Sequence, residues 1–263
     1  MVVLVTGCSS GFGARIARKA AEGGHTVYAG LRDLSEPGDL PAHDGVCGVQ
    51  LDVTDPAQRD AVRERILAEQ GRLDVLVNNA GVVLGGFLEQ VDDDELRRVF
   101  EVNVFGAWSL TRALLPALRA SSGLVVNLSS ISGLRAFPGL GAYAASKFAL
   151  EGLTEALHQE LKPLGVKVCL VEPGTYSTAI WGANKNLSRR SLQPDSPYAE
   201  AEVKLGASFE TNAQKAGDPE EIADAVVGLF GQEAPPLRTL KWGTRRTSVL
   251  FRRVHRQLAP EIE

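Results

Sequence analysis

The chain opens on Val2-Val-Leu-Val5, a run with no polar position, and passes directly into Thr6-Gly7-Cys-Ser-Ser-Gly11-Phe-Gly13. A strand that is apolar at every residue, rather than at alternate ones, has both faces covered, which is the condition of a strand inside a parallel sheet. Ala14 to Ala21 then has helix-forming composition and Gly23-Gly24 stops it. The rhythm continues with strands at His25–Ala29, Val46–Leu51, Asp74–Asn78, Leu124–Leu128 and Val166–Val171, and a candidate last strand at Leu237–Trp242. Between them, Asp55 is a candidate N-cap with Pro56 at the first helical position, and helices are expected over about Glu95–Ala120 and Ala142–Leu164. Alternation of strand and helix with short connections requires right-handed crossovers onto one parallel sheet. The expected fold is α/β, a single doubly wound domain over residues 1–263 with helices on both sheet faces.

Composition excludes several classes of function. With 28 Lys and Arg against 32 Asp and Glu, the formal net charge of -4 offers no general attraction for nucleic acid. No run approaches the ~18 apolar residues of a membrane span, and the N-terminus lacks the pattern of a signal peptide. Cys8, Cys47 and Cys169 are widely spaced and odd in number, which suits a reducing compartment, so the cytoplasm is expected. The four histidines show no metal-ligand spacing, and no metal is expected.

Two regions break the rhythm. Residues 175–217 are polar and rich in Ser, Asn and Pro, with Trp181 near their start, and they follow a strand's carboxyl end. In open α/β sheets ligands bind there, so this stretch is either a mobile substrate lid or an ordinary surface insertion. Residues 241–258 are basic, with Leu250, Val254 and Leu258 at helical spacing. Such a helix could touch a membrane or a partner; packing on its own domain is the favoured reading. Gly85-Gly86, Gly139 and Gly141 read as turns.

The glycine turn carries the first chemical signal. Phosphate needs close backbone approach and free N–H donors at a helix N-terminus, and a glycine-rich strand-to-helix turn supplies both. Its spacing is G-x3-G-x-G, and a plain tight turn is the competing reading. After the second strand stands Arg32, a cation suited to a 2′-phosphate, followed by Asp33, which suits ribose hydroxyls instead. NADP(H) is therefore preferred, with NAD(H) left open. Asp52 could accept from an adenine amino group or cap a turn.

The second signal is Tyr143-Ala-Ala-Ser-Lys147, which sets a phenol and an ammonium on one helix face. Neither suits acid–base work near neutrality alone, but a nearby ammonium favours the phenolate. Ser129-Ser130 lies at a strand end and Asn103 in a helical segment; each taken singly could be a turn former or a cap.

Together Thr6-Gly-x3-Gly11-x-Gly13, Asn78-Asn-Ala-Gly81, Asn103, Ser130, Tyr143-x3-Lys147 and Pro173-Gly174 resemble, in order and spacing, the short-chain dehydrogenase/reductases over about residues 2–230. Thr6-Gly-Cys-Ser-Ser-Gly11, Leu31-Arg-Asp-Leu34, Tyr143 to Gly152 and Pro235-Pro-Leu-Arg238 are similar to the branch holding 17β-hydroxysteroid and retinol dehydrogenases. The resemblance implies a Rossmann domain with seven parallel strands and a catalytic set of Tyr143 as general acid/base, Lys147 lowering its pKa and holding the nicotinamide ribose, Ser130 polarising a carbonyl and Asn103 holding a water. It implies cofactor contacts from Gly7, Ser9, Ser10, Gly11, Phe12, Gly13, Arg32, Asp52, Val53, Asn79, Ala80, Gly81, Pro173, Gly174 and Thr178, besides Tyr143 and Lys147. It also implies a homodimer or homotetramer built on the two long helices. The expected activity is NAD(P)(H)-dependent interconversion of a carbonyl and a secondary alcohol. Leu134, Phe137 and Leu140, with the Ala, Leu, Phe and Trp residues of the lid, favour a hydrophobic substrate. The alternatives are a 3-oxoacyl thioester reductase on the same fold and a non-catalytic dinucleotide sensor.

Overall fold

The computed structural model describes residues 1–177 and 186–243. Strands β1 (Val2–Val5), β2 (Thr26–Leu31), β3 (Val46–Gln50), β4 (Val75–Asn78), β6 (Leu124–Leu128), β7 (Lys167–Pro173) and β9 (Arg238–Lys241) form one sheet in the order β3-β2-β1-β4-β6-β7-β9. All six pairings are parallel. From β1 the chain first winds outward to β2 and β3, then returns to β4 on the other side. The crevice left at that reversal, above the carboxyl ends of β1 and β4, is where this architecture binds ligands.

The apolar run of β1 has its physical explanation in two cores. Val3 and Val5 pack with Ile16, Ala17 and Ala20 of α1 (Gly11–Glu22) and Ile222 and Val226 of α7 (Glu220–Val227) on one face. Val2 and Leu4 face the other way, against Val62 and Ile66 of α2 (Pro56–Gln70), Leu110, Leu114 and Leu118 of α4 (Ala107–Ala120), and Leu157 and Leu161 of α5 (Gly141–Leu161). Asp55 caps α2 as expected, accepting from the N–H groups of Ala57 and Gln58.

Three expectations change. The helix expected over Glu95–Ala120 is interrupted: α3 (Asp93–Phe100) and α4 are joined by a π-helical turn, Glu101–Gly106, that turns Asn103 inward. Gly106 allows the turn to lie against the sheet edge, because a Cβ there would fall 2.7 Å from the Val53 side chain. Gly85 is not in a turn. It belongs to β5 (Leu84–Gly85), which pairs in parallel with β8 (Asn186–Leu187) inside the lid region. That region is also more structured than its polar composition suggests. Tyr176 and Gly217 bridge its two ends, α6 (Ala199–Ala213) fills its second half, and Arg189 forms ion pairs with Asp92 and Asp94 beside α3. Thr178, Trp181 and residues 244–258 of the basic segment lie outside the described residues.

Candidate active site

The cleft over the reversal point encloses about 790 Å³. Its walls include Gly7, Ser9, Ser10, Gly11 and Phe12 at the first turn, Arg32, Asp52 and Val53 beyond β2 and β3, and Asn79, Ala80 and Gly81 after β4. At the far end stand Ser129, Tyr143, Lys147 and Pro173.

The turn itself is built for close approach. Gly7 and Gly11 have φ of 69° and 63°, the left-handed region that side chains avoid. Ser10 precedes α1 in extended conformation without a side-chain cap, and no acid lies in the helix's first turn. The first N–H groups of α1 therefore face the cleft with the positive end of the helix dipole. Asn79 cements the arrangement: its side-chain amide donates to the carbonyls of Thr6 and Gly7 at 2.8 and 3.0 Å, and the Thr6 hydroxyl accepts from the N–H groups of Asn79 and Ala80. These features fit the phosphate-bearing half of a dinucleotide.

Two of the expected glycines act by packing instead of lining the cleft. A Cβ on Gly13 would sit 2.2 Å from the Gly7 carbonyl oxygen, so Gly13 is what lets α1 dock on the turn. A Cβ on Gly174 would sit 2.2 Å from the Trp242 carbonyl oxygen, beyond the end of β9. Neither needs to touch a ligand for its identity to be explained.

Beyond β2, Arg32 is exposed along the cleft wall, whereas the Asp33 carboxylate turns back to accept from the Ser35 N–H and hydroxyl at 2.8 and 2.6 Å. Asp52 takes one of the two roles its position allowed. It lines the cleft and accepts from the Thr54 N–H and hydroxyl, forming a turn cap.

The opposite end gathers the remaining candidates. Tyr143 and Lys147 lie one turn apart on α5, both buried, with the lysine nitrogen 5.7 Å from the phenol ring centroid. Ser130 follows β6 and its hydroxyl hydrogen-bonds the Tyr143 oxygen while accepting from the Ser132 N–H at 3.1 Å. Lys147 donates to the Leu128 carbonyl at 2.7 Å. Asn103 spends its side chain on structure: the Val82 N–H and carbonyl hold it at 2.8 and 2.9 Å, and it donates to the Ser146 hydroxyl at 3.0 Å. Ser146 in turn donates to the Tyr143 carbonyl at 2.7 Å, so the π-helical turn and the Tyr–Lys helix are locked together. Both side-chain amide protons of Asn103 are thus taken, so a water held by Asn103 would have to donate to it or use its main chain.

The electrostatics differ from the simple expectation that Lys147 draws the phenol down. Burial dominates and pushes Tyr143 up to about 12, opposed by the hydrogen bond from Ser130. Burial also pulls Lys147 down to about 8, opposed by the charge of Glu151 one turn further along α5. Tyr143 is thus a phenol at neutral pH and Lys147 still mostly an ammonium. Sequence reading missed Glu151, together with Glu172 and Arg238 beside it. The Ala-Leu-Glu151 and Val-Glu172-Pro stretches carry no spacing signal, although a carboxylate closing an otherwise apolar strand was visible.

The comparisons agree with this geometry. Residues 1–187 match the short chain dehydrogenase family. A 3-ketodihydrosphingosine reductase of Bacteroides thetaiotaomicron is 37% identical over 242 residues, 90% of this chain and 86% of that protein. Human 17-beta-hydroxysteroid dehydrogenase type 1 is 37% identical over 254 residues, 90% of this chain and 76% of that protein. Among solved structures, a short-chain dehydrogenase from Streptomyces avermitilis superposes with a TM-score of 0.84 at 38% identity, covering 99% of this chain and 95% of its own. Structures that carry a nucleotide include a metagenomic short-chain oxidoreductase with NADP (TM-score 0.72, 29% identity, 93% of this chain and 97% of that one). Another, from Burkholderia phymatum, carries NAD (TM-score 0.79, 27% identity, 98% of this chain and 94% of that one). The chain is an oxidoreductase and belongs to the short-chain dehydrogenase/reductase family.

Proposed function

We propose that the protein reduces a hydrophobic ketone to a secondary alcohol, or runs the reverse reaction, with NADP(H) in preference to NAD(H). The observation that carries this reading is the convergence of Ser130, Tyr143 and Lys147 at the end of the cleft away from the glycine turn. The bound dinucleotide supplies or accepts the hydride, and the rest of the chemistry falls to side chains. As the substrate carbonyl oxygen gains charge, the Ser130 and Tyr143 hydroxyls donate hydrogen bonds to it. Tyr143 then transfers its proton to that oxygen and becomes a phenolate, which the Lys147 ammonium stabilises in a site with little water. A phenol pushed up to about 12 keeps its proton at neutral pH, as the acid in reduction requires. Lys147 would hold the nicotinamide ribose, and the uncapped start of α1 would hold the pyrophosphate.

Preference for NADP(H) is supported by Arg32 standing open on the cleft wall while Asp33 is spent on Ser35. An apolar substrate is supported by the Val83–Leu140–Tyr143 cluster with Phe209 of α6 packed against it. The names of the relatives, a ketodihydrosphingosine reductase and a hydroxysteroid dehydrogenase, point the same way. Residues 175–217 would serve as the substrate lid. Phe105 and Phe148, half exposed on the helical face, support a homo-oligomer. The unpaired thiols support a cytoplasmic location, and among the described residues no helix is long and apolar enough to cross a membrane.

The test is a panel of ketones and secondary alcohols, from polar sugars to long-chain and polycyclic substrates, run in parallel with NADPH/NADP and NADH/NAD. Turnover should favour hydrophobic ketones with NADPH. Turnover of small polar sugars alone would overturn the substrate reading, and activity confined to 3-oxoacyl thioesters would transfer it to that class.

A further inference from the structure

Behind the proposed catalytic lysine lies a cluster of charge that the reaction as written does not use. Glu151 of α5, one helical turn beyond Lys147, and Glu172 near the end of β7 are both buried, Glu172 completely. Arg238 of β9 reaches both carboxyls, at 3.0 Å from each, while Glu151 Oε1 and both Glu172 oxygens are buried without a hydrogen-bond partner among the described residues. The half-exposed Glu155 pairs with the same guanidinium. Ser129, on the cleft wall, lies beside Glu151 across Gly133. Gly133 makes room for the pair, since a Cβ there would lie 2.8 Å from the Ser129 hydroxyl and 3.0 Å from Glu151 Cγ.

Two carboxyls and one guanidinium brought together from three elements are costly to bury, and leaving either acid unpaired would cost more. Two buried carboxyls around one guanidinium cannot both ionise easily, so the pair carries about one negative charge. That charge lies on the same face of α5 as Lys147. The charged groups around it are Lys147 and Glu155 on α5, Glu172 on β7 and Arg238 on β9, with Ser129 as the neutral neighbour from the end of β6.

We propose that Glu151 is a positioning residue for Lys147, its buried charge keeping the lysine an ammonium on the Leu128 carbonyl, with Arg238 holding Glu151 in place. The inference rests on the role given to Lys147 above, so its test begins with a measurement that needs no turnover. The protein is labelled with lysine carrying 13C at Cε, the Lys147 signal is assigned with Lys147→Arg, and its titration is followed. Nicotinamide dinucleotide binding is then measured across the same pH range by fluorescence, and the pH profile of ketone reduction last.

In Glu151→Gln the Lys147 midpoint should fall by about one pH unit, as expected for a unit charge lost one helical turn away inside protein. The alkaline limits of NADPH binding and of turnover should fall with it, while Glu151→Asp stays near the original. Glu172→Gln leaves Glu151 as the sole, fully ionised carboxyl, so its Lys147 midpoint should be equal to or above the original. A purely structural cluster would lower melting temperature in these variants and leave the midpoint unmoved, which overturns the proposal. A midpoint that falls in Glu172→Gln also overturns it, and decides the matter should Glu151→Gln fail to fold. A shifted Lys147 titration with an unshifted turnover profile would keep the electrostatic inference and discard the catalytic role of Lys147.

Discussion

At the scale of single residues, the proposed mechanism separates what holds the ligand from what handles the proton. Tyr143→Phe removes only the hydroxyl. It should cut turnover by about 10²-fold or more while leaving NADPH affinity nearly unchanged, as checked by steady-state rates against fluorescence titration. Loss of binding together with turnover would remove Tyr143 from the role assigned here. Arg32→Ala should weaken NADPH binding by about tenfold or more and leave NADH binding unaltered, the size expected when a charge-assisted contact to phosphate is lost. The comparison of the two affinities is the measurement, because a general loss of fold would lower both. The motif residues were readable in the chain because Tyr143 and Lys147 lie one turn apart and the glycines follow one strand directly. The linkage of Asn103 to Tyr143 through Ser146 was not readable, since it depends on a π-helical turn with no periodic signature.

At the scale of elements, the ends of β6, β7 and β9 bring buried acids against α5. Glu172 and Glu151 are held above their ordinary carboxyl value of 4.5 by burial. The folded chain therefore keeps protons that the unfolded chain has already released, and stability falls as pH rises above about 4.5. Glu172→Gln removes part of that slope. Its melting temperature should change less between pH 5 and 8 than that of the parent, and at pH 8 it should be about 2–4 °C higher for each kcal/mol relieved. A slope identical to the parent's would mean that Glu172 is ionised in the folded state. The same scale explains how the stretch from Asn186 to Gly217 is attached. β8 pairs with β5, and Arg189 sits on Asp92 and Asp94, so the polar stretch is tied to the rim of the cleft. Its composition announced a loop; the ties come from residues about a hundred positions away.

For the whole molecule, the two cores share one sheet, and every strand from β3 to β7 in the sheet order serves both. Leu76 in the middle of β4 is fully buried against the α2, α4 and α5 side. Leu76→Ala should lower stability by about 2–5 kcal/mol in denaturant unfolding, with KM for NADPH little changed if the strand ends keep their register. A large change in KM would show that packing inside the sheet reaches the cleft.

The alternation of apolar strands and helices, the parallel sheet it demands, the glycine turn and the Tyr–Lys helix face follow from the chain's own local order. Each is a matter of neighbours within a few residues, where periodicity and backbone preference act. The meeting of Ser130 with Tyr143, of Asn103 with Val82 and Ser146, and of Glu151 with Glu172 and Arg238 follows only from the strand order β3-β2-β1-β4-β6-β7-β9. That order is chosen by the packing of two cores at once, and packing energy is summed over contacts that no short stretch of the chain contains.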